Sequence, residues 1–180
     1  KVKAVVRDEI KIPKELKRKG EALMLCMDTM FVNRQGFLTS IDKTIKYWAA
    51  IPIDLRHLNE YFRALDAILR HYNKAGYTIK RIECDGKYKS MMEEIMDELD
   101  IEMNFTNVQD HVPEAKRNNR TIKEWVRTGF HKLPYETIPN VMIRYLVMES
   151  TRKLNLFPVK GGILEYLSPY MLLNGNSLDC

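Results

Sequence analysis

Two carboxylates stand where metal chemistry would want them. Asp28 lies inside Ala22–Val32, an almost wholly apolar run rich in Met and Leu. An ionised carboxylate is costly to bury unless it is hydrogen-bonded, paired or bound to a metal, so Asp28 calls for one of those partners. Asp85 stands at the end of a second candidate strand, just before Gly86. Ligand sites in α/β sheets favour the carboxyl ends of strands, although Asp-Gly is also a common turn dipeptide. If the two strands are neighbours, the carboxylates converge. Oxygen ligands of that kind suit Mg²⁺ or Mn²⁺ rather than zinc.

A third feature is electrostatic. The chain carries a net charge of +5, and the stretch 112–132 concentrates it. Lys116, Arg117, Arg120, Lys123, Arg127 and Lys132 face only Glu114 and Glu124 there. Such a segment is either a solvated helix face or a surface that holds nucleic-acid phosphates beside the paired carboxylates.

The elements that must position these groups follow from pattern. Ala22–Val32 reads as a buried strand, Asn33-Arg34-Gln35-Gly36 as a turn and Phe37–Ile41 as the return strand. Asp42-Lys43 predicts a second turn and Thr44–Ala50 a third strand, so the start is an antiparallel meander that Pro52 should stop. Apolar residues from Leu58 to Tyr72 recur at helical spacing within 55–75, with Gly76 as the stop. Thr78–Cys84 alternates and leads into Asp85. A strand–helix–strand unit is normally a right-handed parallel crossover, which would set the strand of Asp85 beside that of Asp28. Ser90 with Glu93 is a capping box opening a helix toward Leu99. Ile101–Phe105 reads as a fifth strand and 106–111 as a polar loop. Pro113 suits a helix start, with Ile122, Trp125, Val126 and Phe130 as the apolar face, Trp125 and Phe130 being assigned to the core. Pro139 begins a last long helix toward Leu154, and the tail from Phe157 looks irregular.

The class is therefore α/β: a five-stranded mixed sheet, antiparallel meander plus parallel strands, flanked by helices. That is the element order of the RNase H-like fold. The expected organisation is a basic lead-in over 1–20, one core over 21–175 and a short tail over 176–180. The 45% hydrophobic and 29% charged fractions are ordinary for a soluble domain. No apolar run approaches the roughly 18 residues of a membrane span, and 1–7 lacks the apolar region of a signal peptide. Cys26, Cys84 and Cys180 make no metal-binding or paired spacing, so free thiols and a reducing, intracellular setting are expected. The lack of an initiator Met is expected of a fragment of a longer chain.

At this point particular motifs accumulate. Met27-Asp28-Thr29-Met30-Phe31-Val32-Asn33, Glu83-Cys84-Asp85-Gly86-Lys87-Tyr88, Asp110-His111-Val112-Pro113-Glu114 and Arg120-Thr121-Ile122-Lys123-Glu124 occur in this order. Leu167-Ser168-Pro169 and Leu172-Leu173-Asn174-Gly175 follow. Together they resemble the integrase core of copia-type (Pseudoviridae-like) retrotransposon polyproteins over roughly residues 20–175. The resemblance implies an RNase H-like fold and DNA 3′-end processing and strand transfer by an Asp, Asp, Glu triad holding two divalent metals, Mg²⁺ or Mn²⁺. It also implies DNA partners (element ends and target), multimeric action, and a nuclear or cytoplasmic-particle setting. It sets Asp28 and Asp85 as the first two ligands. Glu114 is the nearest third carboxylate, yet the family pattern puts its glutamate four residues before the Arg-Thr pair, at Lys116. An active triad and a degenerate, DNA-binding core both remain open, as does another RNase H-like nuclease. Lys116, Arg117, Arg120, Lys123 and Arg127 are the implied DNA contacts. The zinc-binding set that precedes integrase cores has no counterpart in this sequence.

Overall fold

The computed structural model describes residues 22–54, 58–89, 101–106, 112–164 and 166–175. Strands β1 (Ala22–Val32), β2 (Gln35–Asp42) and β3 (Trp48–Ile53) are followed by helix α1 (Leu58–Lys74) and strand β4 (Thr78–Asp85). Strand β5 (Glu102–Thr106) and helices α2 (Pro113–His131), α3 (Asn140–Leu154) and α4 (Pro169–Asn174) complete the order. The basic lead-in, the Ser90 capping box with its helix, the loop over 107–111 and the tail lie outside the described residues.

The sheet runs β3-β2-β1-β4-β5. The β1–β2 and β2–β3 pairs are antiparallel, and β1–β4 and β4–β5 are parallel. β1 is central and buried on both faces, which explains its nearly unbroken apolar sequence. Leu23, Leu25 and Met27 face the layer containing α1, where Tyr61, Ala64, Leu65, Ile68, Leu69 and Tyr72 supply the helix stripe. Cys26 and Met30 face the opposite layer, with Phe37 and Ile41 of β2 and with Ala115, Ile122 and Val126 of α2.

Several boundaries differ from the sequence reading for identifiable reasons. The first turn is Asn33-Arg34, both at positive φ (46° and 63°), the two-residue geometry that matches strand twist. Gly36 is instead paired within β2. The third strand starts at Trp48, not Thr44, because Asp42 folds the chain back on itself. One of its carboxylate oxygens accepts from Thr44 N at 2.8 Å and also from Ile45 N. Pro52 does not stop this strand; it lies within β3, whose position at the sheet edge tolerates a residue lacking an N–H. The start of β3 is tied down by Asn155, whose buried amide donates to Trp48 O and accepts from Trp48 N, both at 2.8 Å.

The helix after Pro113 forms as expected, but its buried face is Ala115, Asn118, Asn119, Ile122 and Val126. Trp125 is 37% exposed rather than in the core, its ring set against Phe157 at 6.0 Å. The stretch from Phe157, expected to be irregular, carries a short helix among its described residues. Ser168 caps α4 by accepting from Met171 N, and Leu167, Leu172 and Leu173 are buried in the α1-side core.

Candidate functional site

The parallel ladder between β1 and β4 pairs Cys26 with Glu83 and Met27 with Cys84. Asp28 and Asp85 follow as the next residues on each strand, so they stand side by side at the carboxyl ends. By alternation Asp28 shares the face of Cys26, toward α2, and Asp85 shares the face of Glu83. The first turn of α2 closes over them. The cleft is lined by Met27, Asp28, Asp85, Val112, Ala115 and Lys116, and its volume of ≈ 10 Å³ is room for about one water.

The Asp28 carboxylate is held at both oxygens. Oδ1 accepts from Thr29 N at 2.7 Å and from the Tyr88 hydroxyl at 3.4 Å. Oδ2 accepts from the Asn119 amide at 3.0 Å. Asn119 is itself fixed, since its Oδ1 lies 2.6 Å from the Thr39 hydroxyl, which also reaches Asp28 O at 2.9 Å. Tyr88 shares a short hydrogen bond with Thr29. Burial, only partly offset by that bond, keeps its phenol protonated far above the ordinary range. Thr39, Tyr88 and Asn119 were not singled out from sequence. The available signal was Asn119 itself, a polar residue on the inner stripe Ala115–Asn119–Ile122–Val126.

Glu114 lies outside this cleft. Its Oε1 receives Lys46 Nζ at 3.1 Å, and its Oε2 lies 3.5 Å from Cys26 Sγ and 3.9 Å from Lys43 Nζ. Lys43 in turn bonds Glu83 at 2.5 Å. Burial pushes the Glu114 carboxyl up, but the Lys46 bond and charge, with Cys26 and Lys43, outweigh it and the net shift is downward. Desolvation dominates at Cys26, whose thiol is pushed up to about 12 despite the nearby Lys43. These five side chains fasten the start of α2 to the β2–β3 connection.

The fit to a divalent metal is therefore incomplete. Asp28 and Asp85 supply oxygen ligands on adjacent strands, but Lys116, an acceptor-free ammonium, lines the remaining wall. Among the described residues, no group of three or more His, Cys, Asp or Glu side chains is placed to hold a metal ion. The described residues also include no helix long and apolar enough to cross a membrane.

The basic residues fall into a pattern. Lys116, Arg120, Lys123 and Arg127 are spaced i, i+4, i+7 and i+11, one stripe along α2. At 1.5 Å per residue it is about 16 Å long, starting at the aspartate cleft. Arg117 points to a different side. Arg120 is paired with Glu124 at 2.9 Å, whereas Lys116, Arg117, Lys123 and Arg127 make no ion pair among the described residues. A cavity of ≈ 630 Å³ lies elsewhere, at the β3 edge between α1 and α3, and contains none of the candidate residues.

No protein-family model matches the sequence, and no curated protein matches it. Among solved structures the chain is similar to the catalytic core domain of BIV integrase, with a TM-score of 0.60 at 13% identity, over 83% of this chain and 92% of that one. The fold is that of an integrase core. The RNase H-like architecture expected from element order is thus present. At 13% identity the likeness concerns architecture alone.

Proposed function

We propose that this chain is an integrase-like core of copia-type retroelement ancestry that binds DNA and does not carry out strand transfer. The observation that carries the reading is the exchange at the third position: Lys116 closes the Asp28–Asp85 cleft, while Glu114 is engaged by Lys46 and Lys43. Integrase chemistry needs divalent cations to activate the attacking oxygen and stabilise the leaving one. An ammonium offers neither a lone pair nor a vacant coordination position. Its positive charge serves instead to hold a phosphate beside two carboxylates that would otherwise repel it.

DNA binding is supported by the stripe that continues from Lys116 along α2. Lysine and arginine side chains on one exposed helix side contact phosphates without reading sequence. The binding should therefore be salt-sensitive and largely sequence-independent.

Two assays test this. Duplex DNA should bind with steep salt dependence, and an end-joining assay with Mg²⁺ or Mn²⁺ should yield no strand-transfer product. Metal-dependent joining by the unaltered chain, abolished by Asp85→Asn, would overturn the reading. Lys116→Glu supplies the positive control. Restoring a carboxylate to the cleft should make thermal stability respond to millimolar Mn²⁺, a response absent from the unaltered chain.

A further inference from the structure

A groove of ≈ 380 Å³ opens where the basic stripe ends. Its walls include Phe130 of α2, Leu146 of α3 and Ile138 of the segment between them. Asn33, from the turn between β1 and β2, and Thr137 add polar groups, and Arg127 belongs both to the groove and to the stripe. No candidate residue from the aspartate cleft takes part.

We infer that this groove receives an unpaired nucleobase from a single-stranded segment whose phosphates lie along α2, an inference that rests on the nucleic-acid binding proposed above. The four cations of the stripe, with Arg127 in the groove beside one lining carboxylate, Glu136, favour an anionic strand as the occupant. Lys116 to Arg127 spans about 16 Å, long enough to contact several successive phosphates of one strand. A strand held along that path brings a base to the groove mouth. The volume is at the small end of the roughly 300–1,000 Å³ of ligand pockets, suited to one heterocycle with its sugar outside. Phe130 and the Arg127 guanidinium are the side chains on which a base face stacks. Asn33 and Thr137 carry donors and acceptors for its edge. Asn33 is held in a two-residue turn at φ 46°, which places its side chain at the groove. Bases within an intact duplex are stacked inside and cannot enter, so the groove favours a frayed, flipped or single-stranded segment.

The test uses the whole chain and fluorescent oligonucleotides at fixed salt. A single strand with one abasic position should bind roughly tenfold more weakly than its intact parent, the scale of one lost base–aromatic stack. Phe130→Ala should erase that difference while leaving duplex affinity unchanged. 5-Iodouracil placed in the strand should crosslink to Phe130 or to the 136–138 segment, a readout on the unaltered chain that does not depend on the variant folding. Equal binding of abasic and intact strands, or crosslinks confined to other residues, would overturn the inference, and the groove would then suit an apolar side chain of a protein partner. Failure of both single strand and duplex to bind would instead sink the proposed function.

Discussion

Removing the Asn119 side chain should destabilise the fold out of proportion to its size. Asn119 is 9% exposed and makes two polar contacts, one to the Asp28 carboxylate and one to the Thr39 hydroxyl. A hydrogen bond to a charged group contributes about 1.5–3 kcal/mol and a neutral one about 1 kcal/mol. Asn119→Ala thus removes roughly 3 kcal/mol and leaves Asp28 one donor short in a half-buried site. For a domain of this length, each kcal/mol moves the melting midpoint by about 2–4 °C, so a fall of roughly 6–12 °C is expected in thermal denaturation followed by circular dichroism. The contact can be isolated by a double-mutant cycle with Asp28→Asn, which should recover a coupling energy above about 1 kcal/mol. A change below about 0.5 kcal/mol for Asn119→Ala, or additive effects in the cycle, would refute the idea that α2 is docked through Asp28.

Three further outcomes follow from the same geometry. If duplex DNA lies along Lys116, Arg120, Lys123 and Arg127, log affinity should fall against log salt with a slope of about −3.6, and Lys123→Ala should reduce that slope by about 0.9, as read by fluorescence anisotropy across a salt series. Glu114→Gln should cost at most about 1 kcal/mol in urea denaturation, because its ion pairs are solvent-accessible, and should leave DNA affinity unchanged or slightly higher. Asp42, buried with Oδ1 unbonded, has its carboxyl raised by desolvation from 3.8 to about 6 against the pull of backbone N–H groups. The folded chain therefore holds more protons than the unfolded one between those values, so stability should rise as pH falls from about 6 to 4, by up to about 3 kcal/mol. Asp42→Asn should flatten that dependence and raise stability at pH 8; denaturation midpoints across the pH range decide it.

The sheet and its helices were legible because their signals are local. The apolar run 22–32 forms a strand of those bounds, and the capless but Pro-led start of α2 falls at Pro113. What misled was chemistry that depends on distant partners. Nothing in the spacing of Thr44–Ala50 reveals that Asp42 will accept from the amides of Thr44 and Ile45 and delay β3 to Trp48. Trp125 fits the apolar stripe by type, but Asn118 and Asn119 occupy the inward positions, the latter because Asp28 and Thr39 satisfy it. At the site, strand order was enough to bring Asp28 and Asp85 together. The third position turned on the direction of two side chains two residues apart on a helix, about 200° around its axis. Spacing alone could not choose between them; Lys43 and Lys46, carried on the β2–β3 connection, draw Glu114 to their side.

The bonding around Asp28 also bears on what its presence means. A carboxylate in a central strand needs compensation, and a metal is only one source of it. Here a backbone N–H, a phenol and an amide already meet both oxygens, and the amide belongs to the helix that carries the basic stripe. Asp28 thus has a structural role without any cation in the cleft: through Asn119 it aligns α2, which carries Lys116, against the sheet. The same contacts that would preorganise a metal ligand in a catalytic core would, under the proposed reading of Lys116 as the third position, orient the basic stripe of α2. On this account Asp28→Asn should weaken DNA binding indirectly, through the pose of α2, whereas Asp85→Asn should strengthen binding by removing a negative charge beside Lys116. Equal effects of the two substitutions on affinity and stability would show that the aspartates act as one unit, as metal ligands do, and would count against the structural role given to Asp28.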